Sequence, residues 1–227
     1  MGAPPRAYVL RCFHLHNRRM ERGETFFVDL HMFDLGATLE HREVLVRALE
    51  RMGSGLDNRA TLESVRTLDS AGREHGAWKP ISFDLPNPNS DLDLKSSIVL
   101  EYLSPTELIE QGRIASGLPF ETLVRRLRDR LSALSTFYGD GPLEIDFRIF
   151  PEAAKRVRPV QQRLTWIAGE RTSSRANLRH AISGWVGRVS YEGPVEGYLA
   201  WLEAGQWAGV GEQVVFGKGA YRVLGVE

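Results

Sequence analysis

The chain has 227 residues, of which 42% are hydrophobic and 26% are charged, and its 29 basic residues balance its 29 acidic ones. The length suits one large domain or two small ones. The single cysteine, Cys12, excludes a disulfide scaffold and a structural zinc ribbon. No apolar run approaches the roughly 20 residues that span a bilayer, and residues 1–6 lack the apolar core of a signal peptide. Composition therefore predicts a cytoplasmic protein that makes no use of a membrane.

Hydrophobic periodicity predicts a strand–helix–strand unit in the first part of the chain. Residues 23–35 alternate with a period of two, and residues 40–52 carry the apolar stripe of a helix that ends at Gly53. Residues 62–68 are a weaker strand. This order indicates half of an α+β sandwich.

A cluster of turn residues, Asn87-Pro88-Asn89-Ser90, predicts a linker after this unit. The linker divides the chain into an N-terminal module over residues 1–92 and a C-terminal module over residues 93–227.

The C-terminal module is predicted to repeat the mixture of strands and helices. In chain order we expect strands at 98–103, 143–149 and 185–191, helices after Pro119 and after Pro194, and strand-like runs at 214–216 and 221–224. The helix after Pro119 is the best marked and ends at Gly139. Its arginines are predicted to form a solvated face, with phosphate contact as the alternative; they are Arg125, Arg126, Arg128 and Arg130.

Charge is distributed unevenly along the chain. Residues 155–190 hold eight basic residues against Glu170, whereas residues 84–110 hold six acidic residues against Lys95. Either the two segments neutralise each other in the fold, or the first gives a neutral protein a basic surface suited to nucleic acid.

A doubled glycine pattern stands near the end of the chain: Gly209-Val-Gly211, five residues, then Gly217-Lys218-Gly219. Such glycines permit positive φ and let main-chain N–H groups approach a ligand, and Lys218 can donate to a phosphate. A tight hairpin is the alternative interpretation. The pattern is not a P-loop, because no Ser or Thr follows the lysine, nor a dinucleotide fingerprint, because it follows a helix and precedes strands.

A basic segment precedes this loop, and its candidate phosphate-binding residues are Arg171, Ser174, Arg175 and Arg179. The arginines are four apart, so they would line one face of a helix or follow a phosphate backbone from an extended loop. A solvated basic loop is the remaining alternative.

Together these two motifs resemble the C-terminal domain of the CRISPR-associated endoribonucleases of the RAMP superfamily, which process precursor CRISPR RNA. The shared features are Ser173-Ser174-Arg175 leading to Gly184-Trp185-Val186-Gly187, then Tyr191-Glu192-Gly193, a helix, and the doubled glycine loop through Phe216-Gly217-Lys218-Gly219.

The resemblance implies an α+β fold of tandem ferredoxin-like (RAMP or RRM-like) modules that bind a CRISPR repeat RNA. It implies cleavage without metal or cofactor, in which the ribose 2′-hydroxyl attacks the neighbouring phosphate. It also implies other CRISPR effector subunits as partners. The alternative function is a catalytically inactive RAMP subunit that holds RNA or serves as a scaffold in an effector complex.

The beginning of the chain departs from the family, whose members carry an opening strand, a helix and commonly the catalytic histidine upstream. Residues 3–10 resemble the middle of the first module, so we expect that module to be incomplete. Because a half-built sheet leaves unpaired edges, the chain is predicted to form a homodimer, by strand exchange among other routes, or to have a partly opened N-terminal region.

His180 is the candidate catalytic acid or base within the chain, because it lies in the basic segment and histidine transfers protons near neutral pH. The alternative is that His180 only binds or packs. The other histidines are predicted to be structural or solvated, and they are His14, His16, His31, His41 and His75. No pair of them has metal-ligand spacing with a supporting carboxylate, so we predict no metal.

Overall fold

The structure of the chain is a computed structural model that describes residues 4–15, 18–33, 38–55, 60–70, 72–76, 81–88, 96–173 and 178–226. The elements are, in chain order, β1 (Tyr8–Arg11), β2 (Asp29–Met32), α1 (Thr38–Gly55), β3 (Ser96–Thr106), β4 (Ile109–Glu110), β5 (Arg113–Ile114), α2 (Phe120–Tyr138), α3 (Ile149–Ala154), β6 (Arg158–Ile167), β7 (Glu170–Ser173), β8 (Leu178–Ala181), β9 (Gly184–Gly193), α4 (Leu199–Ala208) and β10 (Tyr221–Val226). None of the described helices has the length and apolarity that crossing a membrane requires.

The C-terminal part is built on a four-stranded antiparallel sheet with the order β10-β3-β9-β6. In chain order these strands are β3, β6, β9 and β10. Helix α2 follows β3, and helix α4 joins β9 to β10. This is the β-α-β-β-α-β connection with strand order 4-1-3-2, which defines a ferredoxin-like module. The predicted α+β class with ferredoxin-like modules is confirmed.

The core of this module lies between the sheet and helices α2 and α4. Alternate residues of β3 face it, and Ile98, Leu100 and Tyr102 are each at most 1% exposed. The predicted stripe of α2 faces the same core, with Phe120, Val124, Leu127, Leu131 and Leu134 buried. From α4, Trp201 is fully buried, and its indole N–H donates to the Pro86 carbonyl at 2.8 Å.

Residues 4–55 contribute a smaller unit, in which β1 and β2 form a two-stranded antiparallel sheet and α1 follows. Arg11 joins it to the C-terminal module, because its Nη2 donates to the carbonyls of Gln206 and Trp207 at 2.5 and 2.9 Å. These carbonyls end α4, where a cation is favoured by the helix dipole. The division into domains at residue 92 stays a prediction, since residues 89–95 lie outside the described part.

His31 packs at the same junction, as its predicted structural role requires. Its Nδ1 lies 3.2 Å from the Trp207 carbonyl oxygen, so the ring donates from Nδ1. Burial, and then the charge of Arg11, lower the pKa of His31 to about 4. The ring is therefore neutral near pH 7, which suits a packed residue better than a proton-transfer group.

The predicted strand over 143–149 is wrong, although its residues alternate between apolar and polar. Asp146 accepts hydrogen bonds from the N–H groups of Arg148 and Ile149 at 2.7 and 3.2 Å, and helix α3 begins at Ile149. A short aspartate that satisfies the free amides at a helix start outweighs alternation here.

Three further predicted strands are shorter than expected or absent. Strand β2 covers Asp29–Met32 and not the whole of 23–35, while 62–68 contributes only an isolated bridge between Leu68 and Glu74. Residues Val214–Phe216 form a 3₁₀ turn.

Three of the four arginines of α2 do not belong to the predicted solvated face. Arg126 donates to the Ile109 carbonyl from Nε and Nη2, at 3.1 and 2.6 Å. Arg128 is 8% exposed and donates to the Phe147 carbonyl, and Arg130 donates to the Ala208 carbonyl that ends α4. These side chains bind loops to the helix, because guanidinium groups can satisfy main-chain carbonyls that lack other partners.

Candidate nucleic-acid interface

The basic segment forms part of one long β-hairpin between residues 158 and 193, called here the basic hairpin, which the structure describes over 158–173 and 178–193. Strands β6 and β9 pair along its root, and β7 and β8 continue the ribbon beyond them. The N–H of Ile182 donates to the Gly169 carbonyl at 2.7 Å and connects the two parts. The helix considered for this segment is therefore wrong.

The register of the distal ribbon places the candidate residues relative to one another. Arg171 lies opposite His180, and Thr172 lies opposite Arg179. Because directly opposite positions of an antiparallel pair share a face, positions 171 and 180 lie on one face and position 179 on the other. Ser174 and Arg175 lie outside the described residues. The RNA contacts of these positions stay predictions.

Positive charge dominates the basic hairpin. Its sequence holds six arginines against two glutamates, Glu170 and Glu192. A ribbon with this composition favours an anionic polymer as its partner, because each neutralised phosphate releases a counterion.

A row of charged residues crosses the sheet at the root of the basic hairpin. Its members occupy facing positions on the four strands: Arg222 on β10, Glu101 on β3, Arg188 on β9 and Arg163 on β6. The carboxylate of Glu101 accepts from both Arg188 and Arg222, and these bonds lower its pKa. Two arginines thus share the carboxylate of Glu101, and Arg163 adds a third positive charge, which leaves this row of the sheet net positive. Sequence alone does not reveal the row, since its members come from four strands whose register is set by tertiary pairing.

The glycines of the doubled pattern have positive φ, as predicted: Gly209, Gly211, Gly217 and Gly219 have φ of 72°, 86°, 84° and 70°. Their closest neighbours belong to the protein itself. A Cβ on Gly219 would overlap the Val210 carbonyl oxygen, and one on Gly211 would overlap the Glu107 carbonyl oxygen. A chain that passes this close to another backbone requires glycine.

The amides of this loop have protein acceptors. The N–H groups of Gly209, Gly217 and Gly219 donate to the carbonyls of Gly205, Val214 and Pro105, respectively, at 2.8, 2.9 and 3.1 Å. In this structure these amides are not available to a phosphate, and the loop packs against the protein itself. A direct RNA contact from the glycine loop stays a prediction.

Lys218 has an internal partner too. The residue is 1% exposed, and its Nζ lies 2.9 Å from the Glu107 carboxylate. A buried ammonium requires such a partner, because desolvation of an unpaired charge is costly. The predicted donation from Lys218 to a phosphate would require this ion pair to open, and the geometry instead indicates that Lys218 holds the loop against β3.

The structure does bring the two sequence motifs together. Gly219 donates to the carbonyl of Pro105, and a Cβ on Gly184, at the root of the basic hairpin, would lie 2.5 Å from the N–H nitrogen of Thr106. Both motifs therefore meet the Pro105–Thr106 peptide at the end of β3. Strand β1 reaches the same region, since the Leu10 carbonyl oxygen lies 3.0 Å from a Cβ built on Gly217.

A metal site can be judged only from the side chains that the structure describes. Among them, no group of three or more His, Cys, Asp or Glu side chains is arranged to hold an ion. The prediction of a metal-independent site remains untested.

The comparison with known families decides the affiliation of the chain. The profile of the family described as CRISPR-associated endoribonuclease Cas6 matches residues 100–221, which is more than half of the 227 residues. The chain belongs to the Cas6 family. The match runs from within β3 to the end of the glycine loop, so the basic hairpin lies within it.

Solved Cas6 structures share the fold. The product complex of the Thermus thermophilus Cas6 TTHB231 matches with a TM-score of 0.63 at 16% identity, over 98% of this chain and 84% of that one. A Cas6-RT-Cas1–Cas2 complex, in partial form, matches with a TM-score of 0.59 at 17% identity, over 96% of this chain and 38% of that one. A search of curated protein sequences found no match.

Other matches are shorter. The Cas6 TTHA0078 product complex matches at 24% identity with a TM-score of 0.41, over 57% of this chain and 51% of that one. The chain thus spans about half the length of several Cas6 structures that it matches.

Proposed function

We propose that this chain binds CRISPR repeat RNA through the basic hairpin and cleaves it by attack of a ribose 2′-hydroxyl on the adjacent phosphate. The observation that supports this most is the continuous ribbon itself. It extends from the sheet of a Cas6-family module and carries arginine positions on both faces together with the candidate His180. Such a ribbon can neutralise several phosphates along one RNA.

The proposed chemistry needs three groups around one phosphate. A base takes the proton of the 2′-hydroxyl, a cation stabilises the charge of the phosphorane, and an acid protonates the leaving 5′-oxygen. The product ends in a 2′,3′-cyclic phosphate. Positions 180 and 171 are register partners on β8 and β7, so the two positions share one face of the ribbon. We assign the proton transfer to His180 and the charge stabilisation to Arg171.

A second candidate is a subunit that holds repeat RNA without cleaving it and assembles with other CRISPR proteins. Its support is the match to a Cas6-RT-Cas1–Cas2 complex over 96% of this chain. The predicted homodimer and cytoplasmic location stay predictions under either candidate.

Incubation of end-labelled repeat RNA with the parent and with His180→Ala, in EDTA, tests the proposal. We expect the parent to produce a fragment with a 2′,3′-cyclic phosphate, and the variant to cleave at least about 100-fold more slowly, because it lacks the group that moves the proton. Binding should change less than cleavage, since His180→Ala leaves every arginine of the basic hairpin in place.

The same experiment separates the two candidates. Tight binding of repeat RNA by both proteins with no fragment from either would establish the holding subunit. Equal cleavage by both proteins would remove His180 from the mechanism, and failure of the parent to bind repeat RNA even at low salt would contradict both functions.

A further inference from the structure

Two tryptophans face each other at the far end of the hairpin root. Trp166 of β6 and Trp185 of β9 are register partners, and their ring centroids lie 5.1 Å apart with an interplanar angle of 75°. The indole N–H of Trp185 donates to the Ala115 carbonyl at 3.4 Å. Trp185 is therefore anchored to the module, and the edge-to-face contact fixes the orientation of Trp166.

Trp166 nonetheless reaches the surface. The residue is 37% exposed, and β6 is the outer strand of the sheet, paired only on the side of β9 among the described strands. A large ring that is held in one orientation and is partly open to solvent loses little conformational entropy when a second flat group stacks on it.

The surroundings of Trp166 favour a nucleotide over an apolar protein segment. The distal ribbon begins at Glu170, four residues beyond Trp166, and its sequence supplies Arg171 and Arg179. The basic hairpin has six arginines against two glutamates. Proteins that bind unpaired RNA combine cationic grooves with aromatic side chains, on which bases stack regardless of sequence.

We propose that Trp166 stacks on an unpaired base of the RNA that the basic hairpin holds, at the root of the hairpin. This inference rests on the proposed RNA-binding function and adds a subsite to it. The base lies outside the paired region of the RNA, because a base within a duplex has no free face. Trp185 acts as a positioning residue that holds the ring of Trp166.

Affinity measurements with modified RNA test this subsite. The probe is a 2′-O-methyl form of the repeat RNA, which has no hydroxyl to attack, together with versions that lack one base at each unpaired position next to the stem. The proteins are the parent, Trp166→Phe, which retains a ring, and Trp166→Leu, which retains apolar volume without a π face. Leu224→Ala is the matched control, because Leu224 is 43% exposed on β10, outside the basic hairpin.

Trp166→Leu is expected to bind the complete probe roughly 5- to 100-fold more weakly than the parent, whereas Trp166→Phe and the control stay within about threefold. For one of the probes that lack a base, the parent is expected to show the same loss of affinity relative to the complete probe. Trp166→Leu is expected to bind that probe no more weakly than it binds the complete probe. That interdependence is the signature of direct stacking, since a merely structural change would weaken binding of every probe equally.

Two results would overturn the proposal while leaving the proposed function intact. One is a parent-like affinity of Trp166→Leu for the complete probe, and the other is an equal loss with every probe. By contrast, a parent protein that binds none of the probes would contradict the proposed function itself. Thermal unfolding of each variant shows whether a loss of affinity reflects unfolded protein. If Trp166→Leu is unfolded, the affinities of Trp166→Phe for the same probes decide the outcome.

Discussion

A variant with Gln in place of Arg171, Arg175 and Arg179 is expected to bind repeat RNA about 10³-fold more weakly than the parent at low salt. Each lost phosphate contact removes one released counterion, and near 0.05 M salt each contact is worth roughly a factor of ten. Because the change removes charge and leaves the sheet intact, the variant should retain the parent's unfolding temperature.

The salt dependence identifies the mechanism of this loss. The slope of log K against log salt should become shallower by about 2–3 for three lost contacts. A control with Gln at Arg47, Arg66 and Arg73 changes the net charge equally, and these exposed side chains lie outside the basic hairpin. An equal loss in the control would show that only overall charge matters, and an unchanged slope in the hairpin variant would contradict phosphate contact.

Gly219→Ala is expected to lower the free energy of unfolding by about 3–5 kcal/mol, because two penalties add. Gly219 has φ of +70°, which L side chains rarely adopt, and its new Cβ would overlap the Val210 carbonyl oxygen. That carbonyl cannot move freely, since the Val210 N–H donates to the Gly219 carbonyl at 2.9 Å and the Gly219 N–H donates to Pro105.

Gly225→Ala is the matched control for this prediction. Gly225 lies in β10, six residues further along, and, its own chain neighbours aside, no described atom lies within 4 Å of its built Cβ. The control should change the free energy of unfolding by less than about 1 kcal/mol, measured by urea denaturation. Equal effects of the two substitutions would mean that the glycine loop does not hold β3 as described.

The C-terminal module was largely predictable because local signals agree with its tertiary pairing. Helix α2 combines a continuous apolar stripe with Pro119 before it and Gly139 after it, and the structure begins and ends the helix between them. The predicted strand at 185–191 became β9, longer at both ends. Residues 143–149 show the limit of such reasoning, since the hydrogen bonds from the Arg148 and Ile149 N–H groups to the Asp146 carboxylate outweigh an alternating pattern.

The site was predictable in its motifs but not in its geometry. Residue types alone indicated a basic element and a glycine loop, yet whether the loop faces a ligand or the protein depends on what lies opposite. Lys218 illustrates this, because its partner Glu107 is 111 residues away and no sequence pattern connects them. The Trp166–Trp185 contact likewise follows from the register of β6 and β9, which is set by a bulge between Pro159 and Gln161.

Photocrosslinking tests the central claim, that the basic hairpin is the RNA-binding element, most directly. Repeat RNA with 4-thiouridine in its stem and flanks is bound to the parent protein at low salt, irradiated and digested, and the modified peptides are identified by mass spectrometry. We predict that most modified residues fall within 158–193, with the strongest signals in the distal ribbon over 170–181. Crosslinks confined to residues 38–76, with none in the basic hairpin, would contradict the account.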